Sequence, residues 1–390
     1  SVGCTYSFSQ GMSVYLIFSL LLFTVGLLFA MVVNSWREAL RSLGRVVLVE
    51  EPAAVRLTVV LSARNEEENI AAILQDLFAQ SYPRELMEVI VVDDGSTDRT
   101  SDIVHGMTRN WPQLRLLNSS AEGKKAAIVT GVAQATGELI VLTDADVRCG
   151  PERLAVIAAH HAATRGDMIV LPVWTEGTGS VGGVQEDEQT ALLAVTLATG
   201  VGGSPALAYG ANLAFTKQAF EHVGGYGHDR FASGDDVFLL QRMQQFGKRI
   251  STCPDRRACV TAFAQPTLRH AWVQRIRWAG KMRGGVGATN ALGMLALLYP
   301  WVLFIACINF SFGRGIGQHA LYTAALLVAS WLAWGAPLLG MVTEVRTTFQ
   351  REPKRVRALL SLIAFTLYAP IIALASMVVR PRWKGRRLKA

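Results

Sequence analysis

The chain has 390 residues, of which 51% are hydrophobic and only 17% are charged, and its formal net charge is +8. This balance is too poor in charge for an entirely soluble protein and suggests that part of the apolar surface faces lipid. The basic residues crowd the ends of apolar segments instead of forming one stripe on a soluble domain. That distribution argues against nucleic-acid binding and fits the positive-inside pattern of membrane proteins.

Four apolar segments predict membrane helices, since each reaches the roughly 18 to 20 residues that a spanning helix needs. The first is too long, and is preceded by too little positive charge, for a secretory signal, so we expect a retained anchor. The expected parts are an N-terminal flank (1–11), a transmembrane helix (12–33), a linker (34–56), a soluble domain (57–266), an interfacial helix region (267–290), a membrane region with about three apolar segments (291–312, 320–342 and 358–379, within 291–379) and a basic tail (380–390).

The soluble domain alternates apolar strands with helical patterns. Leu57–Ala63 reads LTVVLSA and ends in RNEEEN, residues 88–92 read EVIVV and end in DDGSTD, and residues 139–143 read LIVLT and end in DAD. Buried strands that alternate with helices predict an α/β fold, a mostly parallel sheet with helices on both faces. Ligands of such sheets bind at the carboxyl ends of the strands, so we expect the three polar clusters to meet there.

Carboxylates follow the second and third of these strands. Asp144 and Asp146 leave the third strand in adjoining positions that can share a hard cation such as Mg²⁺ or Mn²⁺, which keeps waters and phosphates as its other ligands. The same D-x-D pattern also occurs in solvated turns. The acidic turn with Asp93, Asp94 and Gly95 fits a contact to a base or a ribose hydroxyl, and it equally fits an ordinary capped turn.

Gly123-Lys124-Lys125 lies between the two acidic clusters, directly before a helical pattern. A lysine at a glycine-preceded helix start suits a phosphate, because the ammonium and the free backbone N–H groups point the same way. The segment does not fit the Walker pattern, which excludes that type of nucleotide loop. A solvated lysine pair is the alternative.

Two further clusters lie nearer the membrane segments. Asp235 and Asp236 stand at the start of an apolar helical pattern, where a carboxylate kept ionised by the helix N-terminus can take a proton from a hydroxyl. An ordinary N-cap is the alternative, above all for Asp235. Gln274, Arg277 and Trp278 precede the second membrane segment. Arginine can neutralise a diphosphate and tryptophan can stack on a sugar, whereas an interfacial belt is the plainer reading.

Two stretches give weaker predictions. Residues 175–203 are rich in Gly, Ala and Thr, carry an acidic patch at residues 186–188 and indicate no clear element. The last apolar segment contains Pro370, and three full crossings after the soluble domain would leave the six basic tail residues outside, against the positive-inside rule. We therefore expect a cytoplasmic tail, with the last segment dipping into the membrane or split into two short pieces.

Taken in order, VVDDGSTD, DAD, GDD and QRIRW, with GKK between the first two, resemble the membrane-bound members of glycosyltransferase family 2 over residues 57–278. The resemblance implies a GT-A fold and an inverting transfer from a nucleotide diphosphate sugar, with a divalent metal on the diphosphate. The (Q/R)xxRW motif is shared by polysaccharide synthases and ceramide glucosyltransferases, so it leaves processivity open. The few membrane segments, and a tail element WKGR similar to that of lipid-glycosylating relatives, favour a lipid acceptor.

The resemblance also implies roles for individual residues. Asp94, ahead of Asp93, would contact uracil. Asp146 would be the direct metal ligand, with Asp144 holding metal or ribose, and Asp236 would be the general base, with Asp235 beside it. The nucleotide-sugar site would comprise Asn65, Glu66, Asp93, Asp94, Lys124, Asp144, Gln274, Arg277 and Trp278, and the acceptor side Gly210, Asn212 and Trp278.

We therefore expect an inverting, metal-dependent enzyme that transfers a sugar from a UDP-sugar to a membrane lipid, with Mg²⁺ or Mn²⁺ as cofactor. A processive polysaccharide synthase that extends a growing glycan at the same site, or an inactive membrane sensor of sugar nucleotides, are the alternatives. The basic residues beside the membrane segments predict an integral protein of a bacterial inner membrane, surrounded by membrane lipids, with a cytoplasmic catalytic domain and no nucleic-acid partner.

Overall fold

A seven-stranded sheet forms the centre of the computed structural model, which describes residues 3–44, 46, 54–226, 235–281, 288–312, 319–379, 382–383 and 386–387. The strands are β1 (Leu57–Ala63), β2 (Met87–Asp93), β3 (Leu114–Asn118), β4 (Leu139–Asp144), β5 (Arg148–Cys149), β6 (Met168–Val170), β7 (Val173–Glu176), β8 (Asn212–Thr216), β9 (Ile250–Thr252), β10 (Val260–Phe263), β11 (Arg382–Trp383) and β12 (Arg386–Arg387). The helices are α1 (Gly3–Arg41), α2 (Ile70–Phe78), α3 (Thr100–Thr108), α4 (Lys124–Gln134), α5 (Arg153–Thr164), α6 (Gly179–Gly200), α7 (Lys217–His222), α8 (Asp235–Gln245), α9 (Leu268–Lys281), α10 (Ala288–Phe312), α11 (Ala320–Thr348) and α12 (Arg355–Val378).

The main sheet has the strand order β3-β2-β1-β4-β8-β6-β9. All of its strands run parallel except β8, which is antiparallel to both β4 and β6. A smaller sheet has the order β5-β10-β7. The prediction of a mostly parallel sheet is therefore confirmed.

Apolar side chains on both faces of β1 explain why helices cover the sheet on two sides. Val59 and Leu61 belong to a core that also contains Ile70 of α2 and Val104 of α3. Val60, which points to the opposite face, packs in a second core with residues of α4, α7 and α8. Alternate residues of a strand face opposite sides, so a continuous apolar run is buried between two helical layers.

Within the described residues, four helices are long and apolar enough to cross a membrane, as the sequence predicted. The spans are Val14–Arg41, Asn290–Phe312, Ala320–Thr348 and Arg355–Val378. The first helix continues to Arg41, into the segment expected to be a linker. The last passes through Pro370 as one continuous helix, so the expectation of two short pieces is wrong.

The stretch without a clear predicted element, residues 175–203, contains the end of β7 and the 22-residue helix α6. Helix α6 packs against α1, α11 and α12 and so joins the catalytic domain to the membrane helices. Its residues are buried on most sides, which removes the 3.6-residue periodicity by which an exposed helix is recognised. Only the packing around the helix therefore identifies it.

Candidate active site

The carboxyl ends of β1, β2 and β4 lie side by side at one edge of the main sheet. Ala63 at the end of β1 is paired with Asp93, and Ser62 is paired with Asp144 on the other side. The polar segments that follow these strands consequently meet at this edge, where parallel sheets bind their ligands. We take this edge as the candidate active site.

Hydrogen bonds join the RNEEEN loop after β1 to the DDGSTD turn after β2. The Asn65 N–H donates to Ser96 Oγ at 3.0 Å, and the Thr97 N–H donates to Asn65 Oδ1 at 2.8 Å. Asn65 adopts a left-handed φ of 51°, which asparagine tolerates better than most residues. The Glu66 N–H donates to Thr100 Oγ1 at 2.8 Å. The two segments predicted to bind the nucleotide therefore form one unit.

The two aspartates of the turn have different partners. Asp93 accepts hydrogen bonds from the Ser96 N–H at 3.1 Å and from Ser101 Oγ at 3.0 Å. Asp94 accepts from the Gly123 N–H at 2.8 Å, across the edge of the sheet. Asp93 therefore shapes its own turn, whereas Asp94 links this turn to the start of α4.

Lys124, the first residue of α4, donates to Asp144 Oδ1 at 2.6 Å. The two side chains are 24% and 31% exposed, so this ion pair remains open to solvent and to a ligand. Asp146 lies in the turn between β4 and β5 and is exposed. The predicted phosphate-binding lysine and the predicted metal-binding pair are therefore neighbours.

The Asp144 and Asp146 carboxylates fit a hard divalent cation in their chemistry. In the part of the chain that the structure describes, no three acidic, histidine or cysteine side chains gather into a metal site. Two carboxylates are nevertheless a suitable set for Mg²⁺, because that ion usually keeps waters and substrate phosphates as its remaining ligands. The protein would contribute two carboxylates as ligands, and a bound diphosphate and water would contribute the others.

Asp236 lies at the second position of α8 and contacts the segment predicted to face the acceptor. Its Oδ2 accepts from the Gly210 N–H at 3.1 Å, and its Oδ1 accepts from the Val237 N–H at 2.9 Å. Burial raises the pKa of the neighbouring Tyr209, so this phenol stays protonated. Asp235 begins the helix, and its side chain, like residues 227–234, lies outside the described part.

Asn212 occupies a different environment from the one expected for an acceptor contact. It is wholly buried: Oδ1 accepts from Arg153 Nη2 at 2.7 Å, and Nδ2 donates to the carbonyls of Pro172 and Ala258 at 2.7 and 2.9 Å. Because its hydrogen-bonding capacity is used inside the protein, we assign it a supporting role. Arg153, also wholly buried, donates to Thr143 Oγ1 at 2.9 Å; it belongs to no motif, and its partners are distant in the sequence.

On α9, Gln274 lies three residues before Arg277 and four before Trp278, so it neighbours both on the helix surface. All three are partly exposed, whereas Arg275 between them is buried and bonds to Glu188 of α6. Glu188 belongs to the acidic patch at residues 186–188, whose role was not predicted. The motif residues are thus presented together on a helix that an ion pair holds in position.

Residues 58–224 match the sequence model of glycosyl transferase family 2. They form a family 2 glycosyltransferase domain. The matched range includes the acidic turn, Lys124, both aspartates of the DAD motif and Gly210. The prediction of a family 2 domain is therefore confirmed for this range, which contains the sheet-edge part of the candidate active site, whereas Asp236 and the QRIRW motif lie beyond it.

Two curated relatives and one solved structure resemble the chain. It is 28% identical over 268 residues to the probable glycosyltransferase YdaM of Bacillus subtilis (63% of this chain, 57% of that protein). It is 28% identical over 238 residues to the beta-monoglucosyldiacylglycerol synthase of Synechocystis sp. (57% and 47%). The chain thus spans about half the length of the curated relatives it matches.

The solved structure is the mannosyltransferase PcManGT from Pyrobaculum calidifontis in complex with GDP-Man and Mn2+. It superposes with a TM-score of 0.56 at 24% identity, and the match covers 92% of this chain and 99% of that chain. At this level of identity the similarity concerns the fold. It confirms the predicted GT-A fold.

Proposed function

We propose that this protein is an inverting glycosyltransferase that moves one sugar from a UDP-sugar to a hydroxyl group of a membrane lipid, with Mg²⁺ or Mn²⁺ as cofactor. The observation that carries the proposal is the single sheet edge at which the acidic turn, the Lys124–Asp144 pair and the exposed Asp146 meet. A lipid acceptor is supported by the membrane-type helices that pack on the catalytic domain, and by the similarity to a beta-monoglucosyldiacylglycerol synthase.

The donor would bind along this edge. Asp94 would accept a hydrogen bond from the base in a pocket bordered by Asn65 and Glu66. Lys124 would exchange the Asp144 carboxylate for a phosphate oxygen, which leaves Asp144 available to a ribose hydroxyl or a metal. A divalent cation held by Asp146 and Asp144 would reduce the charge repulsion at the diphosphate.

Asp236 would act as the general base in the transfer. It would accept the proton of the acceptor hydroxyl while the hydroxyl oxygen bonds to the anomeric carbon. The bond from that carbon to the diphosphate breaks, and its electron pair leaves with UDP. The Gly210 N–H fixes one carboxylate oxygen of Asp236, so the base is held beside the acceptor segment. Attack opposite the leaving group inverts the anomeric configuration.

The direct test gives the purified protein a panel of UDP- and GDP-sugars, a lipid extract and either Mg²⁺, Mn²⁺ or EDTA. We expect mass spectrometry to detect lipid carrying one added sugar, with a UDP-sugar and a divalent cation only. Loss of the general base in Asp236→Asn should lower turnover by about 10² to 10⁴-fold. UDP affinity should change by less than about threefold, because the base acts on the acceptor and not on the nucleotide.

Glu221→Gln is the matched control, because Glu221 is an exposed acid on α7, which follows β8 at the opposite edge of the sheet. It should retain turnover. Polymer instead of a singly glycosylated lipid would favour the processive synthase, and UDP binding without any metal-dependent release or transfer would favour the sensor. An anomeric centre retained in the product would contradict the inverting mechanism.

A further inference from the structure

Three consecutive acids of α6 are almost completely removed from water, and the proposed reaction uses none of them. Glu186 and Asp187 are 6% and 3% exposed, and the Glu188 side chain is 12% exposed. Each ion-pairs with an arginine from another helix. Buried charges of this kind are costly unless they are paired, so their partners indicate what the patch holds together.

Glu186 and Asp187 bind the two helices that follow the second membrane span. Arg346 of α11 donates to both carboxylates at 2.7 Å and is itself 2% exposed. Arg357 of α12 donates to Asp187 at 2.9 Å, and Ser361 one turn later donates to the same carboxylate at 2.8 Å. Two acids and two arginines balance in charge, so the cluster fixes α6 against α11 and α12.

Glu188, the third acid, binds the helix that carries the QRIRW motif. Arg275 donates to Glu188 Oε2 from Nε at 2.8 Å and again from Nη2. The guanidinium carbon of Arg275 is 5.9 Å from the centroid of the Trp278 ring, within cation–π range. A continuous series of contacts therefore runs from Glu188 through Arg275 to Trp278.

Helix α6 also supports the other half of the site, the segment that contacts Asp236. Thr196 Oγ1 and the Tyr209 hydroxyl are 3.0 Å apart, and Tyr209 directly precedes Gly210, which bonds to Asp236. Helix α6 thus contacts both the motif helix and the acceptor segment while it is bound to α11 and α12. A rigid element with these connections sets the spacing between the two halves of the site.

We propose that Glu188 is a positioning residue that, through Arg275, orients Trp278 towards the sugar and lipid hydroxyl at the reacting centre. This inference rests on the proposed function. Glu188 contacts neither substrate; its carboxylate fixes the Arg275 guanidinium, and the guanidinium fixes the indole. A misplacement of about 1 Å at a reacting centre can cost about a hundredfold in rate, so a remote carboxylate can control turnover without contributing to nucleotide binding.

A double-mutant cycle tests the series of contacts. Glu188→Gln should lower turnover about tenfold and leave UDP affinity within about twofold, since the nucleotide end of the site is untouched. If Glu188 acts through Trp278, the turnover of the double variant Glu188→Gln with Trp278→Ala should equal the turnover of Trp278→Ala alone within about twofold. Glu188→Asp, which keeps the charge, should recover part of the lost turnover.

Two further variants separate positioning from a general loss of stability. Glu188→Gln with Arg275→Gln removes both charges and leaves no unpaired buried guanidinium; it should fold and still lose turnover. Glu176→Gln is the control, because Glu176 forms a 4.0 Å pair with Arg351 in which both side chains are about half exposed. It should match the unsubstituted protein.

Hydrogen–deuterium exchange provides a readout that does not depend on transfer. Amides of α9 should exchange at least about fivefold faster in Glu188→Gln, with α2 and α3 unchanged. The positioning role would be overturned if Glu188→Gln and Trp278→Ala lowered turnover by factors that multiply in the double variant and if amide exchange in α9 were unchanged. Absence of transfer by the unsubstituted protein would instead refute the proposed function, and exchange in α9 would still decide whether Glu188 fixes the motif helix.

Discussion

Gly123 connects the acidic turn to the phosphate-binding helix through its backbone. It precedes α4 with φ 105° and ψ 156°, a conformation that residues with a side chain rarely adopt. Its N–H donates to Asp94 Oδ1 at 2.8 Å. A Cβ at this position would meet no atom within 4 Å, so the dihedral angles, and not a lack of space, require glycine.

Gly123→Ala should therefore lower the free energy of unfolding by about 1 to 2 kcal/mol through backbone strain. If the chain relaxes by turning this peptide, the hydrogen bond to Asp94 is lost, and UDP affinity should fall by about tenfold, the equivalent of one such bond to a charged group. Denaturant unfolding and isothermal titration calorimetry measure the two effects. Gly106→Ala is the control, because Gly106 lies inside α3 with open space around it. This substitution should raise the free energy of unfolding by about 0.5 to 1 kcal/mol. Equal changes in the free energy of unfolding for Gly123→Ala and Gly106→Ala would contradict backbone strain at Gly123.

The motifs predicted the aspartates of the site better than their individual partners. Asp93 bonds to Ser96 and Ser101, which lie within eight positions of it in the chain. The local sequence therefore already contains the turn that Asp93 shapes. The partner of Asp94 is 29 positions away, and only the pairing of the strands brings it close. Local patterns identify a turn, whereas the residue that faces the ligand depends on contacts that short-range sequence does not encode.

Element by element, the strands and the amphipathic helices were predictable because burial leaves a period of two or of 3.6 residues in the sequence. Helix α6 was not, since neighbours surround it on nearly every side. In the sequence its acidic patch resembles a solvated segment, because the arginines of α9, α11 and α12 that pair with it are distant in the chain. Arg153 was hidden for the same reason, because its partners belong to β4 and β8.

Asn212 joins elements that are far apart in the chain, and its loss should destabilise the whole domain. Asn212→Ala would remove two acceptor contacts of the buried Arg153 and the Nδ2 donor of the Pro172 and Ala258 carbonyls, of which Pro172 would still accept from the Val260 N–H. We expect the free energy of unfolding to fall by about 3 kcal/mol or more, since a buried charge loses its main partner. Asn110→Ala, at an exposed position, should change stability by less than about 0.5 kcal/mol. A similarly small effect of Asn212→Ala, measured by denaturant unfolding, would contradict its supporting role.

In the molecule as a whole, the catalytic domain and the membrane helices share one apolar core. Phe29 and Val33 of α1 pack with Leu193 and Leu197 of α6 and with Met341 of α11. Arg41 at the end of α1 also pairs with Glu344 near the end of α11 at 3.0 Å. The end of α1, the end of α11 and the start of α12 therefore lie on the same side as the catalytic domain, and the end of α10 and the start of α11 lie on the other.

This arrangement predicts how the protein would be oriented in a membrane. The arginines near the catalytic domain should keep that side in the cytoplasm, because basic residues cross the membrane reluctantly. In a background without accessible native thiols, Asn110→Cys should react with a membrane-impermeant maleimide only after the cells are permeabilised, and His319→Cys, at the start of α11, should react in intact cells. A cysteine added after Ala390 tests the tail: α12 has 24 residues, or about 36 Å of helix, enough to cross, yet the basic tail favours the cytoplasm. Labelling of the added cysteine in intact cells would refute a cytoplasmic tail, and labelling of Asn110→Cys there would reverse the orientation of the whole protein.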